Sequence, residues 1–168
     1  NKQIAGPFRY LNITSVASTY ELEKGKPELI MINSFSYQMH KYFGAGAGLQ
    51  YHFLKGLVPS VSVNASYITS DWGITLLPFI NLRPDVNSET ALILEYKPQL
   101  NENLRLYSRA FGLYNHNLTL GEHDRSFYYL RLGLTMKQFS VGAAANLDYY
   151  GPKKFNQNNY GGFVLINI

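Results

Sequence analysis

The chain has no cysteine, which excludes a disulfide framework and any thiolate metal site. Charge is scarce too: Asp, Glu, Lys and Arg make up 15% of residues, against roughly 25% in an average soluble domain. No apolar run reaches the roughly 18 residues a spanning helix needs. The longest, residues 29–32 and 74–80 with Thr75 inside the second, have strand length. No Gly-x-Ser-x-Gly elbow and no His-Glu-x-x-His pair occurs, and His40, His52, His116 and His123 have no metal-ligand spacing. No cofactor, metal or catalytic residue is therefore expected. No signal-peptide pattern opens the chain at Asn1-Lys2-Gln3, as expected of a mature form or of a protein never exported. What is abundant is apolar and aromatic: 46% of the 168 residues are hydrophobic and 15% aromatic, with 14 Tyr and 10 Phe. That length fits one domain over 1–168.

Alternation of period two runs through most of the chain. Phe43, Ala45, Ala47, Leu49, Tyr51 and Phe53 share one face of a strand, with Gly44, Gly46, Gly48, Gln50 and His52 on the other. Tyr128, Leu130, Leu132, Leu134 and Met136 stand in the same way against Tyr129, Arg131, Gly133, Thr135 and Lys137. Cutting at turn signals gives ten strands, roughly 7–20, 28–40, 43–53, 57–69, 72–83, 89–98, 104–115, 126–136, 139–150 and 159–168, and no helix. Eight remain if two short segments belong to loops. Connections are expected to alternate between tight turns and longer polar ones at 23–27, 84–88, 115–125 and 151–158, with the short 54–56 as an exception. The pattern predicts an all-β, closed, antiparallel up-and-down barrel.

Alternation alone does not say which face meets water. A soluble barrel with these polar faces outward would present Gly, Ser, Asn and Gln with few charges, a poorly solvated exterior. The apolar faces also carry aromatics towards strand ends, among them Tyr37, Phe43, Phe53, Tyr67, Trp72, Tyr96, Tyr114, Tyr128, Phe139 and Tyr149, as membrane interfaces favour. About 11 residues per strand, tilted near 45°, span about 25 Å, the height of an outer-membrane apolar band. The expected location is a membrane crossed by strands.

The last strand supplies a more specific sign. In Tyr160-Gly161-Gly162-Phe163-Val164-Leu165-Ile166-Asn167-Ile168, the residues Tyr160, Gly162, Val164, Ile166 and Ile168 alternate back from the end. This resembles the terminal strand of bacterial outer-membrane β-barrel proteins, with Ile as the final residue where that family usually has Phe. The resemblance implies location in the bacterial outer membrane, insertion by the outer-membrane assembly machinery, and contact with outer-membrane lipids and lipopolysaccharide.

The inward positions carry charge. Glu95, Lys97, Arg105, Arg109 and Arg131 fall on inward parity of neighbouring strands, together with Gln38, His40, Gln50, His52, Tyr107 and Asp148. Three guanidinium groups in a narrow interior repel one another unless Glu95 or a bound anion sits among them. They read either as an anion-selective constriction or as a self-neutralising plug. Outward, Ser108, Ala110 and Gly112 form a stripe of small residues between Leu92 and Leu94 on one side and Leu130, Leu132 and Leu134 on the other, a possible lateral docking groove for another membrane subunit. The Gly121-Glu122-His123-Asp124-Arg125 stretch pairs acid with His, which a hydrolase would need, but reads as a solvated outside loop. Net charge is +4, yet Lys and Arg are scattered, so nucleic acid is not an expected partner. Lys24, Lys26, Arg125, Lys153 and Lys154 are expected in outside loops. The leading expectation is a non-catalytic structural or accessory subunit of a membrane assembly. The alternatives are a narrow channel for small, anionic solutes and an outer-membrane hydrolase centred on His123.

Overall fold

The computed structural model describes residues 2–17, 28–52 and 56–166. These residues form one antiparallel sheet of twelve strands and, among them, no helix. The strands are β1 (Lys2–Ala5), β2 (Phe8–Ala17), β3 (Glu28–Gln38), β4 (Phe43–His52), β5 (Gly56–Ile68) and β6 (Trp72–Asn81), followed by β7 (Asn87–Tyr96), β8 (Gln99–Asn101), β9 (Leu104–Asn117), β10 (Glu122–Met136), β11 (Phe139–Tyr150) and β12 (Phe155–Ile166). Each pairs with its predecessor in sequence, save that β8 is a short piece on β9 and β7 pairs directly with β9. The long strands lie where the alternation places them. The two additions are short: β1, which pairs with the start of β2, and β8, which lies in the expected 98–103 connection.

The connections differ from expectation. The supposed long loop over 115–125 is a turn at 118–121, because β9 continues to Asn117 and β10 begins at Glu122. There the Asn117 carbonyl accepts from the Gly121 N–H at 2.9 Å, its Oδ1 accepts from the Leu120 N–H at 2.9 Å, and Gly121 takes φ 69°. Only a residue without Cβ adopts that angle freely. The expected 151–158 loop likewise shrinks to 151–154, since β12 starts at Phe155. Turns at both ends of the sheet are therefore short among the described residues, and the tight-versus-long asymmetry is not seen there. The expected loops over 23–27 and 54–56 fall wholly or largely outside the described residues, as do Phe53, Lys24 and Lys26.

The sheet curls so that one face is concave, with Leu11 and Ile13 of β2 packing against the core that β6, β7, β9 and β10 build. Glycines make two sharp bends possible. On β4, Gly44, Gly46 and Gly48 occupy the concave face, and over them Ser34 of β3 reaches Ser62 of β5 at 3.2 Å. On β10 and β11, Gly133 and Gly142 are direct partners, and a Cβ on either would run into the backbone of the other strand. Where inward side chains would converge, removing them lets the strands turn more tightly. The sheet is not closed: β12 and β2, the last and first long strands, are not paired with one another.

The concave side is layered along the strands. Nearest the 69–71 and 137–138 turns lie Glu95, Arg105, Tyr107, Arg109 and Arg131. In the middle, Ile32, Leu77, Phe79, Ala91, Phe111, Leu113 and Phe127 form a buried apolar cluster. Towards the opposite turns lie Asn81, Asn87, Glu89, Asn115, Arg125 and Asp148, all buried. The convex side is apolar and exposed along most of the sheet, from Phe35 and Val63 through Leu94 and Leu132 to Val164. Expected girdle residues are found there, Trp72 stacking on Tyr96 at 4.3 Å between ring centroids and Phe8 meeting Tyr37 edge-on at 5.5 Å.

Candidate functional site

The basic layer is assembled by register. Gly73, Glu95, Arg109, Arg131, Ala144 and Gly161 are successive cross-strand partners on β6, β7, β9, β10, β11 and β12. One acid thus precedes two bases in the row, and two small residues follow. Glu95 Oε2 takes the Lys97 ammonium at 3.0 Å, and its Oε1 lies 3.6 Å from Arg109 Nε. Arg105 is 3.6 Å from Asp71, a partner the alternation does not reveal because Asp71 sits in a turn. Among the described residues Arg131 meets only neutral acceptors: the Leu130 and Ala145 carbonyls at 2.8 and 3.3 Å, and Asn146 Oδ1 at 2.8 Å. Directly opposed like charges destabilise a sheet, so the Arg109–Arg131 pairing is an electrostatic cost that these dipoles offset only in part. The five residues expected to cluster do come together, beside an open cavity of about 340 Å³ lined by Lys97, Arg105, Thr135 and Lys137 among others.

The far polar layer is a hydrogen-bonded network in which Asn81 Oδ1 and Asn87 Oδ1 are buried without a partner among the described residues. Arg125 gives a hydrogen bond and an ion pair to Asp148 Oδ1 at 2.8 Å, and its guanidinium lies over the Tyr150 ring at 4.7 Å. Tyr129 donates to Asp148 Oδ2 at 3.3 Å. Asn87 donates to Asn115 at 2.9 Å and to Asp124 at 3.0 Å. Arg125 is therefore not a solvated loop cation, as the sequence suggests, but 9% exposed. Lys153 and Lys154 do lie exposed in a turn.

His123 also departs from expectation. It lies on β10, 8% exposed, on the convex side as the partner of His116. Its Nδ1 is 2.7 Å from the Gly151 carbonyl and its Nε2 3.0 Å from Ser126 Oγ. A carbonyl only accepts, so Nδ1 carries the hydrogen and, in the neutral ring, Nε2 accepts from the Ser126 hydroxyl. The Ser126–His123 pair is the one an activated nucleophile uses. Both residues are nonetheless buried, and Tyr114 and Tyr149 are the cross-strand partners of Ser126. The pair fastens the 151–154 turn to β10. Sequence reading missed Ser126 because strict alternation puts residues three apart on opposite faces, and it is the bulge between His123 and Arg125 that brings the two to one side.

The stripe of small residues is outward as expected. Ser108 lies between Tyr96 and Leu132, Ala110 between Leu94 and Leu130, and Gly112 between Leu92 and Tyr128. At Gly112 the groove is partly filled, for a Cβ there would stand 3.3 Å from Tyr128 Cδ1. Tyr160, Gly162, Val164 and Ile166 share the outward face of β12 and are exposed, while Ile168 lies outside the described residues. No group of His, Asp or Glu side chains that could hold a metal occurs among the described residues. No protein-family model, curated protein or solved structure matches the chain.

Proposed function

We propose that the chain closes into a transmembrane β-barrel of the bacterial outer membrane and serves there as a non-catalytic structural or accessory subunit of a membrane assembly. The observation that carries this reading is the convex face: exposed Leu, Val, Ile and aromatic side chains on strand after strand. The largest apolar patch on a soluble monomer is about 300–600 Å², and hydrocarbon is the solvent such a continuous surface suits. The edges support closure, β1 covering only Phe8, Arg9 and Tyr10 on the outer side of β2. The ten long strands alternate in direction, so β2 and β12 would meet antiparallel, and an unpaired edge in hydrocarbon leaves backbone groups unsatisfied at several kcal/mol each. Surrounding lipids, lipopolysaccharide and the assembly machinery are the contacts this location implies.

The middle apolar layer favours a filled barrel over the channel reading, because an ion path would have to cross Phe79, Phe111 and Phe127. Burial of Ser126 and His123 disfavours the hydrolase. The absence of native cysteine makes the test clean. Leu11→Cys is combined in turn with Gly161→Cys, Phe163→Cys and Leu165→Cys, all of inward parity, and the protein is oxidised in lipid. One register should cross-link on β2–β12 closure, and planar bilayers holding the protein should stay silent. No cross-link in any register would refute closure, and discrete conductance steps would replace the filled barrel with the channel.

A further inference from the structure

We propose that the basic layer beside the 69–71 and 137–138 turns is a binding site for a phosphate-type oxyanion, carried by free phosphate, by a small phosphate ester or by a lipid headgroup. This goes beyond a structural role and does not require closure, since the residues lie on the consecutively paired strands β7, β9 and β10 and in the connections after β7 and β10. The argument begins with charge. Lys97, Arg105 and Lys137 line the cavity together with Asp71 and Glu95, and Arg109 and Arg131, which do not line it, stand in the cross-strand row beside it. Glu102, in the exposed turn between β8 and β9, adds a carboxylate at the rim. Glu95 is already shared between Lys97 and Arg109, and Arg131 has no carboxylate within ion-pair distance among the described residues. Cations crowded together without equal counter-charge repel one another, and a dianion offsets more of that surplus than chloride does.

Geometry adds an independent reason. Among the described residues Arg105 and Arg109 make no side-chain hydrogen bond: each stands 3.6 Å from its carboxylate, Asp71 or Glu95. A guanidinium fork with donors left unmade matches a tetrahedral oxyanion better than any single-atom ion. Lys137 enters the site from its turn with φ 55°, so its stem is directed by the backbone of that turn. The cavity of about 340 Å³ exceeds what one phosphate ion fills, so there is room for the organic part of an ester. The cavity is lined by the 69–71 turn and by no residue of the buried apolar cluster.

The test is calorimetric titration of the purified chain in an uncharged detergent at low ionic strength. The probes are inorganic phosphate, short-chain phosphatidate and sodium chloride. Saturable heat with phosphate assigns the site to soluble ligands; saturable heat with phosphatidate alone assigns it to a headgroup. In Arg131→Gln the affinity should fall about tenfold or more. In Glu95→Gln, which removes the competing carboxylate, it should rise by about threefold or more. Absence of saturable heat with both phosphorus ligands overturns the proposal, and so does equal competition by chloride. Unchanged affinity in Arg131→Gln does the same. Should that variant fail to fold, Glu95→Gln decides, because unchanged or weaker binding there also overturns it.

Discussion

Replacing Leu132 by Arg separates a membrane wall from a soluble surface. Leu132 is 60% exposed and central in the outward run from Tyr128 to Met136. That run covers about 26 Å along the strand and, at a tilt near 40°, about 20 Å along the membrane normal. Leu132 then lies about 10 Å from either edge of its band. An Arg side chain reaches about 7 Å when it snorkels, and the cross-strand neighbours Ser108 and Ala143 offer no acid to meet it. The guanidinium would therefore remain in hydrocarbon, and Arg at the midplane of a barrel costs about 2–4 kcal/mol. A loss near 3 kcal/mol lowers the folding equilibrium by about a factor of 150. At Met136, at the end of the same run, Arg should cost about 0–1 kcal/mol. The assay is urea unfolding from phosphatidylcholine vesicles, followed by the fluorescence of Trp72, the single Trp. In water the Leu132 substitution would stay within about 0.5 kcal/mol. A change that small in vesicles, or one equal to that of Met136→Arg, would refute the membrane-facing assignment.

Four other substitutions test the packing. Gly133→Ala drives a Cβ into the β11 backbone and should destabilise by about 1–3 kcal/mol, whereas Gly161→Ala, which meets nothing within 4 Å, should be near neutral by the same unfolding curve. Arg125→Gln leaves the Asp148 carboxylate inside without its cation and should cost about 3–5 kcal/mol; a loss under 1 kcal/mol would mean that water reaches the pair. Ser126→Ala leaves His123 Nε2 buried without its hydroxyl and should cost about 1–3 kcal/mol, seen as earlier unfolding and faster proteolysis at the 151–154 turn. Unchanged stability together with loss of an ester-hydrolysing activity would instead make the pair catalytic.

Away from bulges, the face each residue takes is legible from alternation alone, because a strand repeats every two residues wherever it lies. Hence alternation places Glu95, Arg109 and Arg131 on one side, and Ser108, Ala110 and Gly112 on the other, whereas the bulge between His123 and Arg125 hides the Ser126–His123 pair. Strand ends were less legible: Asn115, Asn117, Glu122 and Asp124 look like loop residues by polarity, yet they continue β9 and β10 as the polar cap of the concave side. Arg125 was assigned to solvent for that reason, although Arg125, Phe127, Tyr129 and Arg131 keep one parity and so had to face one way.

The contents of the interior were harder to read, because parity says inward without saying against what. Contact across a curled sheet depends on its radius, which the glycines at 44, 46, 48, 133 and 142 govern through side chains they lack. A signal was nevertheless present. Around Leu76–Ile80 and Phe111–Leu113 the apolar residues fall on both parities, so the middle of those strands is apolar towards both sides. A water-filled barrel has no use for Leu77, Phe79, Phe111 or Phe127 on its inner wall, whereas a packed one does. The charges at the strand ends therefore bound a core, and the basic layer is better understood as a site on one side of that core than as the lining of a path through it.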